Sequence, residues 1–212
     1  FLDVVDTLEA LHFDSLWLSE RIGGEAPDPL VAMSMAAART KKLKFGMSVM
    51  VLPGRNPVVL AKELATLDRM SNGRLLPAFG LGVADPQEQQ AIGVERAKRA
   101  KMFNEALAVV RSCWTDESVT FHGEHYDYDN LRVEPKPVQT PPEVWLGGLA
   151  ESEIKRVGRL ADGWLPSFVT PEDVAPRWKT VNEVAAEHNR EIDPEHFGVL
   201  IPYVIGDAPP QL

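Results

Sequence analysis

Residues 43–52 read Leu43-Lys44-Phe45-Gly46-Met47-Ser48-Val49-Met50-Val51-Leu52, the stretch with the strongest strand character in the chain. Its density of large and β-branched apolar residues predicts one continuous, buried β-strand. Asn56-Pro57 follows, and there a capping side chain precedes a proline that suits the first helical turn. Leucines then recur at helical spacing from Leu60 to Leu67. The segment therefore predicts a strand followed by a helix.

The same alternation of apolar runs and helical patterns continues on both sides of this segment. The other predicted strands span residues 15–19, 75–81, 144–147, 163–166 and 197–205, and the other helices span 1–11, 29–39, 152–160 and 171–188. Pro77 is awkward within its strand because proline donates no ladder hydrogen bond. Alternating strands and helices indicate βα units and a parallel sheet. An open doubly wound sheet and a closed (β/α)8 barrel both satisfy this pattern.

Residues 85–142 interrupt the alternation. Asp85-Pro86 predicts a helix start, a longer helix runs through Trp114, and a hairpin turning near Gly123 leads into a proline-rich stretch. No flexible linker or repeat marks a boundary, so we expect one domain, 1–212, with an insertion at about 85–142 between strands four and five. A complete barrel typically has about 250 residues and eight strands. Because the chain opens on a helix and closes on a strand, we expect a barrel incomplete at both ends.

Composition and charge restrict the classes of function. The 212 residues are 44% hydrophobic and 25% charged, values typical of a globular protein. A net charge of −9 argues against nucleic-acid binding, which needs clustered Lys and Arg. No uncharged apolar run reaches the roughly 18 residues of a membrane helix, and no signal peptide is evident. The one cysteine, Cys113, cannot form an internal disulfide, so we expect a cytoplasmic protein.

In a barrel, reactive groups come from the carboxyl ends of the strands. Glu20 and Asp85 are the carboxylates at such positions, and either could act as a general acid or base. The alternative for both is an ordinary solvated or ion-paired carboxylate, and Arg21 stands next to Glu20. The glycines of residues 80–82 and 147–148 precede helices, where free backbone N–H groups attract phosphate. A simple tight turn explains Gly147-Gly148 nearly as well.

Other chemical motifs are weaker. The Gly-x-Gly of residues 80–82 lacks the third glycine of a dinucleotide fingerprint, with Asp85 in its place. His122 and His125 lie in a polar hairpin without further ligands nearby, so no metal site is predicted. Cys113 lies in an apolar helical stripe, which predicts a small core residue rather than a nucleophile.

Several segments together resemble one family. Phe13-Asp14-Ser15-Leu16-Trp17-Leu18-Ser19-Glu20 resembles the strand-two segment of the bacterial luciferase-like monooxygenase superfamily. Further segments resemble the family in its own order: 51–62, 65–74, 121–123, 134–139, 145–148 and 161–166. Within the superfamily, the chain is most similar to the branch that uses the deazaflavin coenzyme F420.

The resemblance implies a (β/α)8 TIM barrel of the luciferase-like type, with a flavin-like ring at its carboxyl mouth. It implies a non-proline cis peptide between Ser48 and Val49 that bulges against the ring. It also places a phosphate contact on residues 147–150 and a catalytic carboxylate at Asp85. Many relatives have histidine where this chain has Arg21, so no histidine acid or base is carried over. The cofactor-binding residues expected are Ser19, Met47, Ser48, Val49, Gly80, Leu81, Gly82, Gly147, Gly148, Leu149 and Ala150; those expected to be catalytic are Asp85 and Glu20.

The residues and the resemblance are compatible with three functions. The first is an F420-dependent oxidoreductase that transfers a hydride between the deazaflavin and a small organic substrate. The second is an FMN-dependent luciferase-like monooxygenase that receives reduced flavin from a partner reductase. The third is a non-catalytic flavin-binding barrel. The resemblance also implies a homodimer.

Overall fold

The computed structural model describes residues 1–201 and 203–206. The chain divides into two compact units, Phe1–Val144 and Trp145–Leu212. The first unit contains α1 (Leu2–Ala10), β1 (Ser15–Leu18), α2 (Pro29–Arg39), β2 (Lys44–Met47), β3 (Met50–Val51), α3 (Pro57–Ser71), β4 (Leu75–Leu76), β5 (Ala78–Gly80), α4 (Pro86–Ile92), α5 (Arg99–Thr115), β6 (Val119–His122) and β7 (Asp127–Leu131). The second contains β8 (Trp145–Leu146), α6 (Glu151–Leu160), β9 (Gly163–Trp164) and α7 (Pro171–Glu187).

The first unit is built on parallel strands. β2 lies between β1 and β4, and β3 pairs with β5. A helix follows β1, β3 and β5 in the chain, as parallel neighbours require, because their connection must return to the same end of the sheet. Phe45, Met50 and Phe79 are fully buried and form part of the core. The predicted βα units of this region are confirmed.

The prediction of one continuous strand over 43–52 is wrong. The chain is broken between β2 and β3, and the expected cis peptide bond joins Ser48 and Val49 at the break. The strand predicted over 75–81 is also divided, into β4 and β5, at Pro77. Each break changes the pairing, because β2 pairs with β4 whereas β3 pairs with β5. Pro77 fits such a break since it has no N–H for the ladder.

The segment predicted as an insertion contains α4, α5 and the antiparallel hairpin β6–β7. The hairpin turns between His122 and Asp127, which confirms the turn predicted near Gly123. Glu105 of α5 accepts hydrogen bonds from the backbone N–H groups of Glu124 and His125. Burial works to raise the pKa of Glu105, but the hydrogen bonds, led by that from His125, outweigh it and lower the pKa. The carboxylate therefore attaches the hairpin turn to α5.

Asp68 of α3 holds the proline-rich stretch. Its side chain is fully buried, and Oδ2 accepts hydrogen bonds from the backbone N–H groups of Val138, at 2.7 Å, and Gln139, at 3.1 Å. Its other oxygen, Oδ1, accepts one from Nε2 of Gln139 at 2.6 Å. Three donors thus converge on one buried carboxylate, which compensates for the loss of its hydration.

Arg74 performs a similar role at the amino ends of β2 and β4. Its guanidinium donates to the carbonyl oxygens of Ala37, Thr40, Leu43 and Ser71 and to the Thr40 hydroxyl. It also lies 5.2 Å from the centre of the Phe45 ring, a cation–π distance. Burial lowers the pKa of Arg74 from its usual value. The group therefore fastens α2 and α3 to the start of two strands.

The second unit is organised around tryptophans. β8 and β9 are parallel, with Trp145 opposite Gly163. A Cβ atom at Gly163 would lie 2.5 Å from the Trp145 indole, so only glycine admits that ring. Trp164 is fully buried and lies 6.3 Å from Trp178 in a stacked arrangement and 5.4 Å from Phe197. The strand predicted over 144–147 and the helices predicted over 152–160 and 171–188 are confirmed with slightly different ends.

The strand predicted over 197–205 is wrong for the residues described. Phe197 and Leu200 form isolated bridges with Trp164 and Ser167, and no ladder continues from them in 197–201 or 203–206. Pro202 lies outside the described residues. An apolar run predicts a strand only where neighbouring strands supply hydrogen-bond partners along its length.

Within the two described ranges, none of the helices combines the length and apolarity that crossing a bilayer requires.

We expect Asp68→Asn to destabilise the protein by about 2 kcal/mol, because an amide cannot present acceptors to all three buried donors. Urea unfolding measures the change. Asp129→Asn is the matched control, since Asp129 is exposed on the hairpin, and it should change stability by less than about 0.5 kcal/mol. Equal stabilities of the two variants would contradict the role assigned to Asp68.

We expect the Cys113 thiol to be unreactive in the folded protein. It is 1% exposed, and burial raises its pKa to about 11. Because the thiolate is the reactive form, a disulfide reagent at pH 8 should label native protein roughly 100-fold more slowly than protein unfolded in urea. Similar rates in both conditions would show that Cys113 is accessible and would contradict its assignment to the core.

Candidate active site at the carboxyl ends of the strands

Two adjoining cavities lie in the first unit, beside the loops that follow β1, β3 and β5. They measure about 280 Å³ and 170 Å³, and both are bordered by Ile22 and Glu88. The larger one is also lined by Arg21, Gly23, Gly24, Asp85 and Gln87, and the smaller one by Glu20, Val51, Pro53, Gly54, Arg55, Ala91 and Ile92. A groove of about 450 Å³ between α1 and α2 is lined mostly by apolar side chains and offers no comparable chemistry.

Glu20 is buried and fully engaged. Its side chain is 6% exposed, one oxygen accepts a hydrogen bond of 2.6 Å from the N–H of Val51, and the other pairs with the Arg55 guanidinium. The suggested ion pair with Arg21 is therefore replaced by one with Arg55. Because both oxygens are occupied, this geometry suits Glu20 to holding β3 in place.

Asp85 is the N-cap of α4. Its Oδ1 accepts hydrogen bonds from the N–H groups of Gln87, at 2.8 Å, and Glu88, at 3.1 Å. The structure describes no partner for Oδ2 within 1–201 and 203–206, and Asp85 borders the larger cavity. One oxygen therefore supports the helix, and the other is available to a ligand.

Arg21 and Glu88 form a pair that sequence reasoning missed. Nε of Arg21 lies 3.5 Å from a carboxylate oxygen of Glu88, whose side chain is only 8% exposed. The same oxygen lies 3.4 Å from the backbone N of Gly23. Glu88 follows the capping aspartate by three residues, but that spacing does not reveal which residue on another loop it meets. The pair places a buried carboxylate between the two cavities.

Hydrogen bonds connect the residues around the cis peptide bond to the end of β1. The Ser19 hydroxyl donates to the Ser48 carbonyl oxygen at 3.2 Å, and the Ser48 N–H donates to that of Leu18 at 2.8 Å. Ser48 and Val49 are half-buried, so part of each remains accessible. Met47 is fully buried, and its side chain belongs to the core.

The space beside Gly80 and Gly82 is filled by valines of the neighbouring segment. A Cβ at Gly80 would lie 2.5 Å from Cγ2 of Val49, and one at Gly82 would lie 3.1 Å from Cγ1 of Val51. Both glycines thus admit protein side chains, and the approach of a ligand to their backbone stays a prediction.

The loop between these glycines and α4 is held by a buried arginine. Nη1 of Arg99 donates to the carbonyl oxygens of Leu81, Gly82 and Val83 at 3.0–3.1 Å. No local sequence signal connects Arg99, 17 positions downstream, to Gly82. The contact fixes the loop that leads to Asp85.

In the second unit, the predicted phosphate-binding loop is organised around Glu153. The N–H groups of Leu149 and Ala150 both donate to the same Glu153 carboxylate oxygen at 3.0 Å. The carbonyl oxygen of Gly148, whose φ is +115°, accepts a hydrogen bond from Nε1 of Trp164 at 3.1 Å. The two amides therefore already converge on an anionic oxygen.

The histidines of the hairpin remain apart from these cavities. Nδ1 of His122 lies 2.6 Å from Oδ1 of Asp127, and both side chains are largely exposed. Within the described part of the chain, no three His, Cys, Asp or Glu side chains cluster as a metal site would require.

Comparison with known proteins places these features in a family. A model of the luciferase-like monooxygenase family matches residues 1–211. An F420-dependent glucose-6-phosphate dehydrogenase from Kineococcus radiotolerans is 32% identical over 167 residues, which cover 74% of this chain and 49% of the relative.

Solved structures agree on the fold. An F420-dependent secondary alcohol dehydrogenase with an F420–acetone adduct has a TM-score of 0.80 at 24% identity, covering 93% of this chain and 63% of its own. The oxygenating constituent of 3,6-diketocamphane monooxygenase from Pseudomonas putida, in complex with FMN, has a TM-score of 0.82 at 21% identity, covering 93% and 59%.

The chain thus spans about half the length of the curated relatives it matches and about 60% of these solved structures. Its fold is the luciferase-like TIM barrel, represented over that part of the length. The family match, the cis peptide bond at Ser48–Val49 and the parallel βα units agree with one another. The chain belongs to the luciferase-like monooxygenase family.

Proposed function

We propose that this protein is an F420-dependent oxidoreductase that transfers a hydride between the deazaflavin and a small organic substrate. The observation that carries the proposal is the position of Asp85, which follows the carboxyl end of β5 and borders a cavity while one of its carboxylate oxygens has no hydrogen-bond partner among the described residues. The 32% identity to an F420-dependent glucose-6-phosphate dehydrogenase supports F420 over FMN.

Each unit by itself contains residues that fit one part of such a cofactor. The amides of Leu149 and Ala150 point to one carboxylate oxygen, so they are arranged to hold an anionic oxygen, and a phosphate there would displace Glu153. Ser48 and Val49 offer half-buried backbone and side-chain surface that could support a planar ring. We propose that Ser19 and Leu81 complete this support, and that Gly80 and Gly82 contribute through Val49 and Val51, which fill the space beside them.

When bound, the deazaflavin supplies the hydride acceptor or donor. Asp85 would handle the proton: as an alcohol carbon loses hydride, the hydroxyl proton passes to Oδ2, and the reverse reaction returns it to the carbonyl oxygen. Glu20 and Arg55 would act indirectly, by holding β3 in place beside the site. Arg21 borders the same cavity and would contact a polar or anionic substituent of the substrate.

An FMN-dependent monooxygenase remains the second candidate because a solved structure of the same fold holds FMN. Both cofactors combine a three-ring system with a phosphate, so the amide pair of the second unit would suit the phosphate of either one, and the Ser48–Val49 segment of the first unit would suit either ring. A partner reductase would be needed to supply reduced FMN. A barrel that binds flavin without catalysis is the third candidate.

Titration of the purified protein with F420 and with FMN, followed by fluorescence, tests the cofactor. We expect F420 to bind at least about tenfold more tightly, equivalent to about 1.4 kcal/mol. Riboflavin, which lacks the phosphate, is the control for the contribution of the anionic tail. Tighter binding of FMN would favour the monooxygenase, and binding of neither cofactor would overturn the proposal.

Substitution of Asp85 separates its proton chemistry from its helix cap. Asn caps a helix about as well as Asp, so Asp85→Asn should retain stability within about 0.5 kcal/mol but lower F420-dependent turnover roughly 100-fold or more. Asp85→Ala should lose the turnover and also about 1 kcal/mol of stability. The assay would use 2-propanol and glucose 6-phosphate, chosen after the relatives' substrates.

The matched control is Asp28→Asn, since Asp28 caps α2 by accepting a hydrogen bond from Val31 N–H at 3.1 Å. This variant should leave turnover unchanged. Full activity in Asp85→Asn would remove Asp85 from the chemistry.

A further inference from the structure

Gly80 and Val49 are in unusually close contact. Gly80 ends β5 and lies opposite Val51 of β3, so the segment leading into β3 passes directly beside it. A Cβ placed on Gly80 would lie 2.5 Å from Cγ2 of Val49. Real Cβ atoms essentially never approach that closely. The isopropyl group of Val49 therefore occupies the space that any other residue at position 80 would need.

The requirement for glycine at this position is steric. Gly80 does not adopt the positive φ that side chains avoid, so its backbone conformation is open to alanine. Gly82 differs, because its φ of +81° would strain any other residue regardless of the space around it. The two glycines are therefore required for different physical reasons. Gly82 is required for its backbone conformation, and Gly80 is required because the side chain of Val49 occupies the adjacent space.

The segment around Val49 is held on its other side by hydrogen bonds. The Ser48 N–H donates to the Leu18 carbonyl oxygen, and the Ser19 hydroxyl donates to that of Ser48. Two residues after Val49, the N–H of Val51 donates to Glu20. These contacts fix the backbone on both sides of Val49, and Gly80 limits its side chain from the direction of β5.

We propose that Gly80 is a positioning residue that sets how far the Ser48–Val49 segment projects at the carboxyl end of the strands. This inference rests on the proposed function, in which that segment supports the cofactor ring. Ordinary contact with a Cβ begins at 3.4 Å, so a methyl group on residue 80 would displace Val49 by about 0.9 Å or more. Rotation of the Val49 side chain would not readily relieve this clash, because the χ1 angle of valine is restricted.

The direction of the displacement follows from the neighbours. The obstruction comes from β5, so the displacement of Val49 is directed away from β5, and the hydrogen bonds of the flanking residues limit its extent. The surface offered to a planar ring would then shift while the parallel strands and Asp85 keep their places. Gly80→Ala should therefore alter cofactor binding with a smaller effect on folding.

The inference can be tested with substitutions that either restore or do not restore the space between residues 49 and 80. Gly80→Ala should weaken binding of F420, or of FMN if that is the cofactor bound, by about tenfold or more. Val49→Ala in the same chain should return the affinity to within about threefold of that of Val49→Ala alone. The control, Val49→Thr with Gly80→Ala, keeps the branched shape and should not restore binding.

A second measurement distinguishes a change in the position of the Ser48–Val49 segment from a general loss of stability. The absorption band of the bound cofactor should shift in Gly80→Ala and return in the double variant with Val49→Ala, while urea unfolding reports stability separately. If Gly80→Ala does not fold, Val49→Ile enlarges the same contact from the other side and should weaken binding similarly.

The outcomes are distinct. In one outcome, the wild-type protein binds the cofactor, and Gly80→Ala and Val49→Ile bind it equally well. That result would overturn the inference and leave the proposed function intact. Weakened binding that Val49→Ala does not restore would also overturn it. A wild-type protein that binds neither F420 nor FMN would overturn the proposed function and this inference with it.

Discussion

The carboxyl ends of the strands in the first unit depend on the hydrogen bond between Glu20 and the N–H of Val51. The chain has just passed the break at Ser48–Val49, and β3 restarts with only two residues, too few for a ladder to hold by itself. A buried carboxylate whose second oxygen is neutralised by Arg55 supplies a strong, charge-assisted acceptor at that point. β3 can then pair with β5, and the loops bordering both cavities take their positions from it.

Close packing of side chains against glycines positions the backbone as much as hydrogen bonds do. Val49 against Gly80 and Trp145 against Gly163 are each a large side chain facing a residue that has none. Such contacts fix geometry without any charge, because close-packed atoms resist displacement by even a fraction of an ångström. Within each unit, the glycine beside a strand end is thus part of the packing, whether or not a ligand also comes near.

The sequence predicted the architecture well because its signals are local. Helical spacing, Asn56-Pro57 and Asp85-Pro86 locate α3 and α4 directly. Periodicity did not reveal the break at Ser48–Val49, where the family resemblance implied only the cis peptide bond. The apolar run after Phe197 has no local feature to show that a ladder is missing. The contacts of Glu20 with Arg55, Arg21 with Glu88 and Arg99 with the loop after β5 join residues far apart in sequence. Such pairs follow from the fold, so single-sequence reasoning identified the carboxylates but not their partners.

The segments by which the family is recognised include Asp68 and Arg74, and both bind backbone groups away from the two cavities. Arg74 lies at the amino ends of β2 and β4, whereas Asp85 follows the carboxyl end of β5. These two stabilising residues and the carboxylate proposed for the chemistry therefore lie at opposite ends of the strands. Substitutions at the carboxyl ends can leave the contacts of Asp68 and Arg74 in place, which is one physical reason why a single fold can host different reactions.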